Sequence, residues 1–329
     1  MARLHPYAPS ARFQRRSGNQ GDRRGRPRHP FDVGGQGVRV RPVDDVGDQH
    51  HLSSGGCVPY LTATEAMGTR FEVILETGSA IADRAIAEEA LEEVTEGHRR
   101  WSCFTRDSII TRINEEGHQR PVAVDDVTFE LLHLCQRLWR DTGGHFDAAL
   151  GSRMASLGHH PGPAFDETPG FAAVELDHQH RRVRLLHPSV RLDLGAIAKG
   201  HALDLAAEVI VASGVDRALI HGGTSSVIAI GSPPGVEGWV VAIAATGVEV
   251  SLADEALAVS SSAGRRSADG QGHVLEPTSG NAAAGGCHVV CGESAAISDA
   301  WATALVTAAG DLSLPRGYRQ IALPIAVKC

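Results

Sequence analysis

Hydrophobic and polar positions follow two periods along this chain, and from about Pro59 onward they divide it into strands and helices. Arg70–Glu76 (RFEVILE) sets Phe71, Val73 and Leu75 on one face, which predicts a strand. Ser79 then stands in capping position for a helix through about Arg99, with Asp83, Glu88, Glu89, Glu92 and Glu93 expected on its outer face. From about Asp126 to Arg140, Val127, Leu131, Leu134, Cys135 and Leu138 recur at helical spacing, the stripe of a core-packed helix. Short strands are expected near Ala172–Leu176, Arg182–Leu186 and Val190–Leu192, and a third helix begins within GAIAKGHALDLAAEVIVASG and ends at Gly214. Further strands are expected near Arg217–Ile220, Ser226–Ile230, Trp239–Ile243, Glu249–Leu252 and Ala256–Ser260. Strands that follow one another with only turn residues between them favour antiparallel pairing over βαβ crossovers. The predicted class is therefore α+β, a mainly antiparallel sheet with packed helices.

Residues 1–58 show neither period. They hold ten Arg against five Asp and no Glu, so this Arg/Gly/Pro-rich stretch carries +5 while the remainder of the chain carries −13. We expect a disordered or non-native tail (1–58) followed by one domain (59–329), because no later linker separates two cores. Arg-rich arms can bind nucleic acid, but this one lacks interleaved aromatic residues, and no nucleic-acid partner is expected. Arg3 is not followed by an apolar run and a small-residue cleavage site, and no lipid-attachment cysteine pattern occurs, so a cytoplasmic location is expected. No apolar run approaches the roughly 20 residues of a membrane span. The six cysteines are too few and scattered for a disulfide scaffold or a paired CxxC zinc site.

Three stretches carry candidate chemistry. The chain has only two lysines, and Lys199 lies in LDLGAIAKGHALD (192–204) among small residues that let a ligand approach backbone; it reads equally as a point charge for a ligand or an exposed residue at a helix start. The spacing fits no Walker A loop. In ISDAWATALV, Asp299 and Thr303 project from one helical face, two hard oxygen donors of the kind Mg²⁺ takes; capping by Asp299 or Ser298 is the competing reading. His273 precedes a Pro-Thr-Ser-Gly turn and is a candidate base. Cys287 and Cys291 read as a buried strand, and His178, His180 and His187 as a solvated hairpin edge with Arg181, Arg182 and Arg184. No Rossmann GxGxxG is present.

Seven stretches, in order over Thr64 to Tyr318, resemble the ApbE family of FAD:protein FMN transferases. They are MGTRFEV (67–73), WSCFTRDSIITRIN (101–114), GGHFDAALG (143–151), LDLGAIAKGHALD, HGGTSSVIAIG (221–231), HVLEPTSG (273–280) and DAWATAL (299–305). The resemblance implies an ApbE-like fold and an enzyme that cuts the pyrophosphate of FAD, passes FMN to a Thr or Ser hydroxyl of a target protein and releases AMP, with Mg²⁺. It implies that Met67 and Phe104 flank the flavin nucleotide, that His145, Phe146 and Asp147 line its cleft, and that Asp193, Lys199 and Val274 complete it. The Ala196 carbonyl with Asp299, Ala302 and Thr303 is the implied metal site, and His273 the implied base for the acceptor hydroxyl. Three positions depart from the family pattern: Phe104 for Tyr, Glu276 for Asp, and Thr224 after Gly222-Gly223 where Asp or Asn is usual.

Two alternatives accompany that reading. Water in place of the acceptor hydroxyl makes the protein an FAD pyrophosphatase giving FMN and AMP. A non-catalytic FAD carrier needs neither metal ligands nor a base, so Asp299, Thr303 and His273 favour the transferase.

Overall fold

The computed structural model describes residues 38–40, by backbone alone, and 59–324 except 76, 245, 265, 268, 269 and 271. In chain order, β1 (Val38–Val40), β2 (Tyr60–Ala66) and β3 (Thr69–Leu75) lead to α1 (Ala80–Trp101), α2 (Ile109–Glu116), β4 (Val122–Ala123), α3 (Asp126–Asp141) and α4 (Gly151–Ser156). Next come β5 (Val174–Asp177), β6 (Arg182–Leu185), α5 (Ala198–Ala212), β7 (Ala218–Gly222), β8 (Ser226–Ile230) and β9 (Trp239–Ile243). β10 (Val248–Leu252), β11 (Glu255–Ser261), β12 (Cys287–Gly292), α6 (Ala295–Thr307) and β13 (Arg319–Gln320) complete the order.

The main sheet runs β13-β12-β11-β8-β7-β3-β2, and every neighbouring pair is antiparallel. The predicted α+β class is what the chain adopts. β7 and β8 are buried at every position, the pattern of strands covered on both faces. α1, α5 and α6 pack against this sheet and against one another, α1 on α5 and α5 on α6. The remaining strands form two smaller antiparallel sheets, β1-β9-β10 and β4-β6-β5.

Capping places the helices. Ser79, Ser108, Asp125 and Ser294 each accept a backbone N–H in the first turn of α1, α2, α3 and α6, each contact contributing about 1 kcal/mol. The core stripe of α3 is as expected, with Leu131, Cys135 and Leu138 buried. Asp83 is a correction: it is buried, not outward, because its Oδ1 accepts the Thr77 N–H ahead of α1.

Residues 190–192 do not form a strand. Leu192 exchanges both backbone hydrogen bonds with the Asn114 amide, and Arg191 O accepts from Gly151 N, so these groups are satisfied without a ladder. The His178–Arg184 hairpin exists as β5–β6, but β6 is the middle strand of its sheet and not an edge, since β4 pairs with its other side. His178 packs edge-on against Phe129, and the Arg181 guanidinium lies 4.8 Å from that ring's centre. Within the stretch expected to lack structure, 38–40 pairs with β9; the rest of the expected tail lies outside the described residues.

Candidate active site

The β2–β3 hairpin turns on two residues, Met67 and Gly68, at φ of +51° and +72°. Glycine adopts that region freely and methionine does not, so Met67 is held there by its surroundings. Its N–H donates to His98 Nδ1 on α1. This turn forms one wall of a cavity of about 890 Å³. Of the site residues singled out in the sequence, Ala302 alone does not line that cavity; it is fully buried within α6.

The loop that follows α3 forms another part of the lining. Thr142 Oγ1 accepts the Phe146 N–H and Thr307 Oγ1, on α6, donates to the His145 carbonyl, so the HFD stretch is tied to two helices. Phe146 is buried. The Asp147 carboxylate accepts Ala149 N and Phe171 N at 2.7 and 3.0 Å, and burial pushes its carboxyl up to about 6 against the pull of those two bonds. Phe104, 61% exposed, sits at the cavity with its ring tilted against His160.

Asp193 begins the approach to α5. Its N–H donates to Ala148 O, and its Oδ1 accepts Gly195 N at 2.8 Å, an Asx turn that presents Gly195 and Ala196 to the cavity. The N-cap residue of α5, Ile197, supplies no side-chain cap; Asp299 of α6 does so instead, its Oδ2 accepting Gly200 N at 2.9 Å. Gly200 is required there because a Cβ would overlap the Ala295 carbonyl. Asp299 Oδ1 accepts the Ser226 hydroxyl at 2.7 Å. Burial raises the Asp299 carboxyl above its ordinary value, opposed by the charge of Lys199 and by these two bonds. Thr303, one turn on, lies with its Oγ1 3.3 Å from the Ser260 hydroxyl.

On the remaining side, His273 lines the cavity where Gly264 makes room for its ring, since a Cβ at Gly264 would meet His273 Cε1. Val274 beside it is buried, its carbonyl accepting Ala283 N. Glu276 does not line the cavity; its Oε2 accepts the Ser279 hydroxyl and closes the Pro-Thr-Ser-Gly turn. Thr224 does line it, beyond Gly222 and Gly223, which press against Phe71 and Thr69.

The donors brought together by Ala196, Asp299 and Thr303 are a carbonyl, a carboxylate and a hydroxyl, all hard oxygen, and the carboxylate is buried. A divalent cation offsets the burial that raises Asp299, so the residues fit Mg²⁺. The sequence reading did not single out His98, Asp204, Ser226 or Ser260. Each acts across elements distant in the chain, and no local spacing marks them.

The ApbE family model matches residues 67–314. An FAD:protein FMN transferase of Chlamydia trachomatis is 27% identical over 238 residues, 67% of this chain and 74% of that protein. One from Rhodobacter capsulatus is 28% identical over 240 residues, 67% of this chain but 45% of its own longer one. The crystal structure of the ApbE protein of Thermotoga maritima superposes with a TM-score of 0.69 at 26% identity, covering 77% of this chain and 88% of its own. With a family model spanning the cavity from the Met67 turn to beyond α6, this chain belongs to the ApbE family.

Proposed function

We propose that the protein transfers FMN from FAD to a Thr or Ser hydroxyl of a target protein, releasing AMP, with Mg²⁺ bound by Asp299, Thr303 and the Ala196 carbonyl; Ala302, buried inside α6 away from the cavity, is left out of that set. The observation that carries this reading is that Asp299 and Thr303, Lys199, and His273, from three separate stretches of sequence, line one cavity. The activity of the relatives, FAD:protein FMN transferase, supports it.

Phosphoryl transfer asks an enzyme mainly for positioning and charge neutralisation. Met67 and Phe104 would flank the flavin nucleotide, and His145, Phe146, Asp147, Asp193 and Val274 would wall its cleft. The N-terminus of α5 and the Lys199 ammonium face the same space and would hold the pyrophosphate. Mg²⁺ would neutralise phosphate oxygens and the charge that develops on departing AMP. His273 would take the proton of the acceptor hydroxyl as its oxygen attacks the FMN phosphorus; the bond to the bridging oxygen breaks, and AMP leaves with that oxygen.

The test is AMP release from FAD by the purified chain, with Mg²⁺ and with excess EDTA. AMP should form only with Mg²⁺, and equal release in EDTA would remove the metal from the reaction.

A further inference from the structure

We propose that Cys103, His160 and Asp193 form a second metal site, for a thiophilic divalent cation of the zinc type, built from none of the residues assigned to Mg²⁺. One ligand atom from each lies within 4.8 Å of the other two, a grouping found at no other set of His, Cys, Asp and Glu among the described residues. The three come from separate places: the turn after α1, the segment after α4 and the turn before α5.

His160 supplies the independent observation. It is 8% exposed, and its Nδ1 lies 2.7 Å from the Pro161 carbonyl oxygen. A carbonyl only accepts, so Nδ1 carries the proton and Nε2 holds a bare lone pair. Nε2 is buried with no hydrogen-bond partner, an arrangement that costs stability unless something occupies the lone pair. Histidines that bind metal through one ring nitrogen commonly donate the other N–H to a backbone carbonyl, which fixes tautomer and ring orientation. The Phe104 ring, 5.6 Å from the imidazole centre, packs against this one.

The donor chemistry chooses the ion. Mg²⁺ takes oxygen donors, whereas a sulfur, an imidazole nitrogen and a carboxylate oxygen together suit Zn²⁺. Asp193 spends Oδ1 on Gly195 N and keeps the other oxygen for a cation. Zinc bonds of about 2.0–2.3 Å hold tetrahedral ligand atoms roughly 3.5 Å apart, so the three must close by about an ångström, within reach of the side-chain torsions of the half-buried Cys103 and Asp193. Both residues line the cavity, which leaves a fourth position open to water or substrate.

The experiment titrates Co²⁺, a spectroscopic stand-in for Zn²⁺, into the reduced full-length protein in a large excess of Mg²⁺, and reads the near-ultraviolet thiolate-to-cobalt band. One equivalent should develop the band, one equivalent of Zn²⁺ should abolish it, and Asp299→Asn should leave it intact. Cys103→Ser should remove the band, and His160→Gln should weaken Co²⁺ binding by roughly tenfold or more. Absence of the band in the unaltered protein, its persistence in Cys103→Ser, or unchanged affinity in His160→Gln would each overturn the site.

Discussion

Asp204 and Asp299 cap each other's helices. Asp204, on α5, accepts Ala295 N and Ala296 N at the start of α6 at 2.8 and 3.0 Å, and the Ser294 hydroxyl at 2.8 Å. Asp299, on α6, accepts Gly200 N at the start of α5. Helix N-termini carry unpaired N–H groups and a partial positive charge, so each carboxylate stabilises the other's helix. The consequence for the cavity is that the Asp299 carboxylate is fixed before any ligand arrives. Its second oxygen is held by Ser226 from β8, so three elements set its position.

Replacing Asp299 by Asn keeps the shape and removes the charge. Both Asp299 oxygens accept hydrogen bonds and an amide keeps only one acceptor, so Asp299→Asn should lower the melting temperature without Mg²⁺ by loosening the cap on α5. Mg²⁺ should raise the melting temperature of the unaltered protein and not of Asp299→Asn, and half-maximal Mg²⁺ for AMP release should rise roughly tenfold or more, equivalent to about 1.4 kcal/mol. Thermal melts across a Mg²⁺ series check this, and equal Mg²⁺ responses would contradict it.

His201, on α5, packs at a tilt against Trp101 with ring centres 5.1 Å apart, its Nε2 buried without a hydrogen-bond partner, and burial pushes its imidazole down to about 4. Unfolded chain takes up this proton near 6.5 while folded protein refuses it, so stability is lost as pH falls from about 6.5 to 4, by about 3 kcal/mol in all. Asp147 and Asp204, pushed up by burial to about 6, act in the opposite sense over nearly the same window. Comparison with His201→Leu cancels those carboxyls. Urea melts at pH 7 and 4.5 should show the unaltered protein losing more stability than the variant by about 2–3 kcal/mol; parallel losses would contradict the assignment.

How much of this was legible depends on distance along the chain. β8 and β9 begin and end at the residues expected from their apolar runs and flanking turns, and α1 starts at its Ser79 cap. β4 and β13 are two residues each, too short to display a period, and α2 has only eight. Asp299 and Thr303 could be read as partners because four helical residues bring them to one face. Asp204, Ser226 and His160 could not, since what matters about each is a neighbour from another element. Asp83 shows the local version: an acid in a first turn reads as outward, yet a backbone N–H just upstream draws it in.

Whether FMN moves to a protein hydroxyl or to water is decided by intact mass spectrometry of an acceptor flavoprotein during single-turnover reaction. The acceptor should gain one FMN group at a Thr or Ser as one AMP appears, and His273→Ala should slow that gain by roughly 10²–10⁴-fold, the range for a positioned general base, with FAD affinity little changed. Release of AMP with free FMN and an unmodified acceptor, or transfer by His273→Ala at the rate of the unaltered protein, would contradict the account.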